Sequence, residues 1–179
     1  MMKAGESKTS PVIITPSAGE ITFPGMAHLG NGVPVYLIDN GTVDLMRVEC
    51  VLQAGQVMEE VHLSALSASA MLTEGTRSYD AATINDLIDS TGAALYHIAD
   101  KDTASLMTVT LTRKMEEVMV LAEEVLFSPT FPDHEFRLLT DRRVQAFLTS
   151  RQKTSVIARE AFYEALCGAD NPYGRIAQE

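Results

Sequence analysis

The side chains of this chain with the chemistry to hold a metal or move a proton are four histidines, two cysteines and a scatter of carboxylates. His28, His62, His97 and His134 stand at spacings that put no two of them on one helix face, so they form no ready zinc pair. Glu59 and His62, three apart, can share a helix turn as the start of a metal site, against the competing reading of a solvated helix start. Asp100 and Asp102 offer two carboxylates where calcium takes about six to eight oxygens, so turn chemistry is their expected role. Ser67 and Ser69 are small helix residues with no motif histidine beside them to activate a hydroxyl. Glu116-Glu117 and Glu123-Glu124 present either an acidic stripe for basic peptides or a solvated helix face. Cys50 and Cys167 are too few and too far apart for a disulfide framework or a thiolate zinc site, and are expected as buried thiols. No G-x-S-x-G, P-loop or G-x-G-x-x-G run occurs.

Composition narrows the partners. The net charge is −10, with 14 Lys and Arg spread along the chain, which leaves no basic patch for phosphates and argues against nucleic acid. A cationic peptide would be a more natural partner, against the competing reading that the acidity serves only to keep the protein in solution. The sequence has no run of eighteen apolar residues, the length a membrane helix needs, so no membrane partner is expected. The start MMKAGESKTS lacks the apolar stretch of a secretory signal. The cytoplasm is the expected compartment, with the periplasm as the alternative for a chain whose leader has been removed.

The elements that must position any site follow from periodicity. Residues 1–20 read as a flexible lead-in, rich in Pro, Gly, Ser and charge. Leu29-Gly30-Asn31-Gly32 predicts a hairpin turn before a strand over Val33–Ile38, closed by Asp39-Asn40-Gly41. Leu45–Leu52 alternates as a half-exposed strand. Val61–Tyr79 (VHLSALSASAMLTEGTRSY) has almost no polar face at its start, predicting a core helix buried on several sides. Ala81–Ser90 predicts a helix ended by Gly92, and strands over Ala93–Ile98 and Thr103–Leu111 form a hairpin. Met115–Phe127 is amphipathic. Ser128-Pro129-Thr130-Phe131-Pro132 breaks it, Asp133 is expected to cap a long helix to about Arg151, and Lys153–Cys167 supplies another.

Several landmarks, in order from about residue 29 to 175, resemble the insulinase and pitrilysin family of zinc metallopeptidases. Glu74-Gly75-Thr76-Arg77-Ser78-Tyr79 is similar to the Gly-Thr ending after that family's zinc helix, and Ala54-Gly55 with Glu59 to the segment before it. Pro129-Thr130-Phe131 resembles its Pro-x-Phe break, and Asn171-Pro172-Tyr173-Gly174 its His-Pro-Tyr-Gly turn. The family's helix carries His-x-x-Glu-His, whose histidines bind zinc while the Glu activates water. Registering on Gly75-Thr76 places that motif on Leu66–Ala70, with Leu66, Ser69 and Ala70 at the three functional positions. The family's third ligand falls on Ala146, reached by counting 76 on from Ala70 and, independently, eight back from Thr154. Leu and Ala offer a metal no lone pair, and a Ser hydroxyl is a poor base near neutral pH.

The resemblance implies an α+β fold: a mostly antiparallel sheet of about four to six strands with helices on one face, over residues 21–179, as one lobe of a longer chain. It implies no catalytic residue and no metal, zinc being the cofactor of active members. It implies peptide held by the edge strand at Ala94, Leu95, Tyr96, His97 and Ile98, and a zinc-bearing homologous subunit or further lobes of the same chain as partner. The reading is a non-catalytic, peptide-holding or chamber-completing subunit. The alternatives are an active zinc endopeptidase with its metal site outside these residues, and a purely structural assembly subunit.

Overall fold

The computed structural model describes residues 22–39, 41 and 43–175. The lead-in expected over 1–20 and Asn40 of the closing turn lie outside them. Contacts divide the chain into two units, residues 1–43 and 44–179.

The first unit is a hairpin. Strands β1 (Gly25–His28) and β2 (Pro34–Leu37) pair antiparallel with Met26 opposite Tyr36. The turn is held by the Leu29 N–H donating to the Val33 carbonyl and the Gly32 N–H to the Leu29 carbonyl, both at 2.9 Å. Gly32 has φ +87, a conformation side chains rarely adopt, which is why glycine follows asparagine here.

The second unit opens with strand β3 (Leu45–Leu52), then α1 (Ser64–Met71), α2 (Ala81–Thr91), the hairpin β4 (Ala94–Ala99) and β5 (Ala104–Leu111), and three helices, α3 (Met115–Phe127), α4 (Asp133–Ser150) and α5 (Thr154–Cys167). Its three strands are antiparallel in the order β3-β5-β4. The class is α+β, with the five strands of the described residues divided between a two-stranded and a three-stranded sheet. Along β5, buried Leu106, Thr108 and Thr110 alternate with half-buried Ser105, Met107 and Val109, so one sheet face is the covered one.

What covers it is α3. Met115, Val118, Leu121, Ala122 and Val125 recur at helical spacing and are all buried, while Glu116, Glu117 and Glu123 stay in solvent. Ile84 of α2, Leu106 of β5 and Leu121, Ala122 and Val125 of α3 form the core cluster, and Leu87, Ile88 and Leu95 pack against it. α2 begins at Asp80, whose carboxylate accepts from the Thr83 N–H, and ends at left-handed Gly92.

Three expectations are corrected. Cys50 is exposed and Cys167 half-buried, so neither is the buried thiol expected. The core helix expected within Val61–Tyr79 is the eight-residue α1, of which only Ser69 and Met71 are buried. Apolar content all round a helix is also what a wall of an open cleft carries, and α1 borders one. Asp133 does not cap α4: the cap position is Pro132, with no side-chain bond, and Asp133 is the first helical residue. There its charge, with that of Glu135, faces the positive end of the helix dipole.

Candidate functional site

The site is built on the start of α1. Leu63, at its cap position, has a left-handed φ of +68 and offers no side-chain acceptor. Glu59 supplies one from outside the helix: its two carboxylate oxygens accept from the Leu63 N–H at 3.0 Å and the Ala65 N–H at 2.9 Å. The Glu59 side chain is only 2% exposed, and His62 Nδ1 lies 3.8 Å from it. Glu59 and His62 do come together, as the reading of a shared turn expects, but the carboxylate is spent on main-chain donors that would otherwise be unmatched.

The approach to Glu59 runs over Gly55, where a side chain is impossible: a Cβ would fall 2.3 Å from the Asp102 carbonyl carbon of the β4–β5 turn. The turn takes the Gln56 and Val57 N–H groups on the Asp100 and Lys101 carbonyls, at 3.0 and 2.9 Å. Lys101 Nζ donates to Gln56 Oε1 at 2.8 Å and to the Pro172 carbonyl at 2.7 Å, and its burial holds the ammonium below the usual lysine range. So Asp100 and Asp102 are turn residues.

The end of α1 is fixed by the Gly-Thr segment. Thr76 is buried, its Oγ1 accepts from the Tyr79 N–H at 3.1 Å, and its N–H donates to the Tyr79 carbonyl at 2.8 Å. The Arg77 N–H donates to the Ser128 carbonyl and the Thr130 N–H to the Gly75 carbonyl, both at 3.0 Å. Two landmarks of the sequence, Gly75-Thr76 and the Pro129–Phe131 break, are therefore one packed unit. Glu124 belongs to it too, accepting from the Ser78 N–H at 3.1 Å, and its carboxyl is kept below the ordinary glutamate range chiefly by the Ser78 side chain, with Thr76, the Ser78 main chain and Arg77 adding to the effect.

Between α1, the sheet and that break lies a cleft of 460 Å³, lined by Leu52, Ala65, Ala68, Leu72, Leu106 and Phe131 among others. Ser69, 8% exposed, is part of the wall. On another side α1 meets α4 through Arg143, whose Nη1 donates to Ser67 Oγ at 2.7 Å and whose Nη2 donates to the Leu66 carbonyl at 2.9 Å.

The four positions that the resemblance singles out lie on α1 and α4. Leu66 and Ala70 are half-buried on α1, Ser69 faces the cleft, and Ala146 is exposed on α4, one turn beyond Arg143. Zinc does not fit this set, since two alanines and a leucine carry no donor atom and one hydroxyl is not a zinc shell. Among the described residues no three His, Cys, Asp or Glu side chains gather elsewhere.

β4 lies at an edge of the three-stranded sheet. The Asp100 N–H donates to the Thr103 carbonyl at 2.8 Å, closing the hairpin. With Ile98 opposite Ser105 and Tyr96 opposite Met107, antiparallel alternation makes these the bonded pairs and turns the main-chain groups of Leu95 and His97 outward. Ala94, Leu95 and His97 are half-buried and Tyr96 and Ile98 exposed, so the side chains of Tyr96 and Ile98 lie on the open face. His97 has its imidazole held below the ordinary histidine range, chiefly by burial, with Glu74 opposing the shift.

Sequence reasoning missed Arg143, whose spacing of three from Ala146 was the available signal, and the Tyr173 contact to Asp102, which has none. It also missed Phe131, which lines the cleft from a left-handed φ of +48.

No family model matches the chain, and no curated protein matches it. Among solved structures, the crystal structure of a peptidase M16 inactive domain from Pseudomonas fluorescens matches with a TM-score of 0.81 at 23% sequence identity, over 87% of this chain and 38% of that one. The chain therefore has the fold of a peptidase M16 inactive domain and spans under two fifths of that protein's length.

Proposed function

We propose that the chain is a non-catalytic lobe of the insulinase type that holds extended peptide along β4 and completes a chamber with a zinc-bearing partner subunit or further lobes. The observation that carries this is the contrast within one unit: Leu66, Ser69, Ala70 and Ala146 stand where the family's ligands and base are expected, while β4 remains an open sheet edge. Catalysis needs a water activated by a metal or base, and the set supplies neither. Strand addition needs only main-chain N–H and C=O groups, which Leu95 and His97 present outward.

Exposed apolar side chains on the last two helices support the chamber role. Leu148 of α4 is 53% exposed, and Phe162 and Leu166 of α5 are 60% and 67% exposed. Such surface is what a further lobe or partner covers.

The test joins two measurements on the purified chain. Titration with a fluorescent extended cationic peptide is expected to saturate, and elemental analysis after mild chelation is expected to find no stoichiometric zinc. One zinc per chain would overturn the non-catalytic half of the reading. Absence of binding would leave the chain an assembly subunit and overturn the peptide-holding half.

A further inference from the structure

The positions that should carry zinc sit on two helices, Leu66 and Ala70 on α1 and Ala146 on α4, and in this chain the same two helices are joined by a guanidinium. We infer that Arg143 is the tie between α1 and α4 here, taking by hydrogen bonding the structural place that a metal shared by those positions would have. Both Nη atoms of Arg143 end on consecutive residues of α1, the Leu66 carbonyl and Ser67 Oγ. One acceptor is thus the main chain of an expected ligand position itself, and the donor stands one turn before the other, Ala146.

The partners are fixed from behind. Ser67 donates its own hydroxyl hydrogen to the Leu63 carbonyl at 2.7 Å, which leaves a lone pair to accept from Arg143 and sets its direction. Leu63 in turn donates its N–H to Glu59. Arg143, Ser67, Leu63 and Glu59 therefore form one chain of bonds from α4 through the first turn of α1 to the buried carboxylate. Arg143 is half-buried, so its guanidinium is partly withdrawn from water. A cation taken partly out of water is held by its acceptors, and the planar fork of arginine reaches these two from two separate nitrogens, a geometry that the single ammonium of lysine does not reproduce.

A cation at this place also excludes another. A divalent ion at Leu66, Ala70 and Ala146 would meet the positive charge of Arg143 bonded to the Leu66 carbonyl, so restoring the ligands alone would yield a weak site.

Hydrogen exchange of the full chain tests the tie. Arg143→Gln is expected to speed exchange of the α1 amides about tenfold relative to those of α3. Arg143→Lys, which keeps the charge and decides the matter should the Gln variant fail to fold, is expected to show most of that effect. Prolonged dialysis of the unaltered chain against EDTA is expected to change nothing. Exchange of α1 at the unaltered rate in the folded variants, or acceleration by EDTA, would overturn the inference. In a second arm, Leu66→His, Ala70→His and Ala146→Glu are combined, and zinc affinity is read by competition with a chromophoric chelator. Adding Arg143→Gln should tighten zinc at least tenfold, and unchanged affinity would show that the guanidinium does not occupy the metal's place.

Discussion

Tyr173 donates its phenolic O–H to the Asp102 carboxylate, with Oη 2.6 and 2.7 Å from the two oxygens. The bond joins the turn after α5 to the β4–β5 hairpin across 71 residues, beside the Lys101 contact to Pro172. Donation to Asp102 favours the neutral phenol and raises the Tyr173 pKa above its ordinary 10.0. A pKa raised on folding adds stability that is whole below 10.0 and is lost as pH rises through the higher folded value. Spectrophotometric titration, read as the chain minus its Tyr173→Phe variant, should show Tyr173 ionising above 10.0. Asp102→Asn should return it toward 10.0, and a difference spectrum unmoved by that change would mean that the contact does not hold the phenol neutral.

Glu59 should matter more than an exposed glutamate can. Its carboxylate serves two N–H groups at the start of α1 with a side chain 2% exposed. Glu59→Ala leaves both unmatched, at a cost of about 1–3 kcal/mol, and Glu59→Gln, which keeps one oxygen acceptor, should cost less. Urea unfolding at neutral pH measures this. Equal losses for the two variants would mean that bulk, not acceptance, is what Glu59 contributes.

Burial ranks the apolar positions differently from the sequence. A fully buried Leu66 would lose about 2–5 kcal/mol on truncation, the usual range for core changes. Leu66 is half-buried, so Leu66→Ala should cost only about 1 kcal/mol, whereas Ile84→Ala, at 0% exposure in the cluster under α3, should fall in the full range. Denaturation midpoints of the two variants decide the order. A larger loss at Leu66 would mark α1 as the core element after all.

How much was legible follows from what periodicity measures. Met115–Phe127 has both the ends and the buried face that helical spacing assigns, whereas Leu45–Leu52 has the ends that alternation assigns but no covered face, being exposed throughout except at half-buried Val48. The burial of α1 was not legible, since VHLSALSASAM is apolar whether it is sealed or walls a cleft. The edge status of β4 depends on the order β3-β5-β4, and strand order leaves no trace in a single strand. Arg143 looked like one cation among the charges of a polar helix, Asp141-Arg142-Arg143, and its acceptors are 76 and 77 residues away. That Leu66, Ala70 and Ala146 carry no metal-donor atom and Ser69 only a hydroxyl follows from residue type alone.

His97 gives β4 a pH dependence. Burial lowers its pKa from the ordinary 6.5, against the opposing pull of Glu74. The unfolded chain then takes up a proton before the folded one does, so stability is whole above 6.5 and is lost as pH falls through the lower folded value. Unfolding free energy should decline from neutral to mildly acid pH, and His97→Asn should flatten that decline. A variant with the same slope would place the dependence in other groups.

Peptide addition to β4 can be separated from damage to β4 by the ladder itself. Leu95 directs its N–H away from β5, so Leu95→Pro removes a donor that only an added strand would use and leaves the Tyr96–Met107 rung in place. Tyr96→Pro removes a rung and is the control for damage. Leu95 also packs against the core cluster, so the melting transition must be followed alongside binding. An extended peptide should lose about tenfold or more in affinity for the Leu95→Pro chain, since one main-chain bond is gone and the edge can no longer be followed in register. A peptide N-methylated at alternate residues reverses the experiment, leaving the protein untouched and blocking the same bonds from the ligand side. It should bind the unaltered chain as poorly as the plain peptide binds the variant. If both substitutions leave affinity unchanged in a protein that still melts cooperatively, the peptide lies elsewhere and β4 is only the border of the sheet.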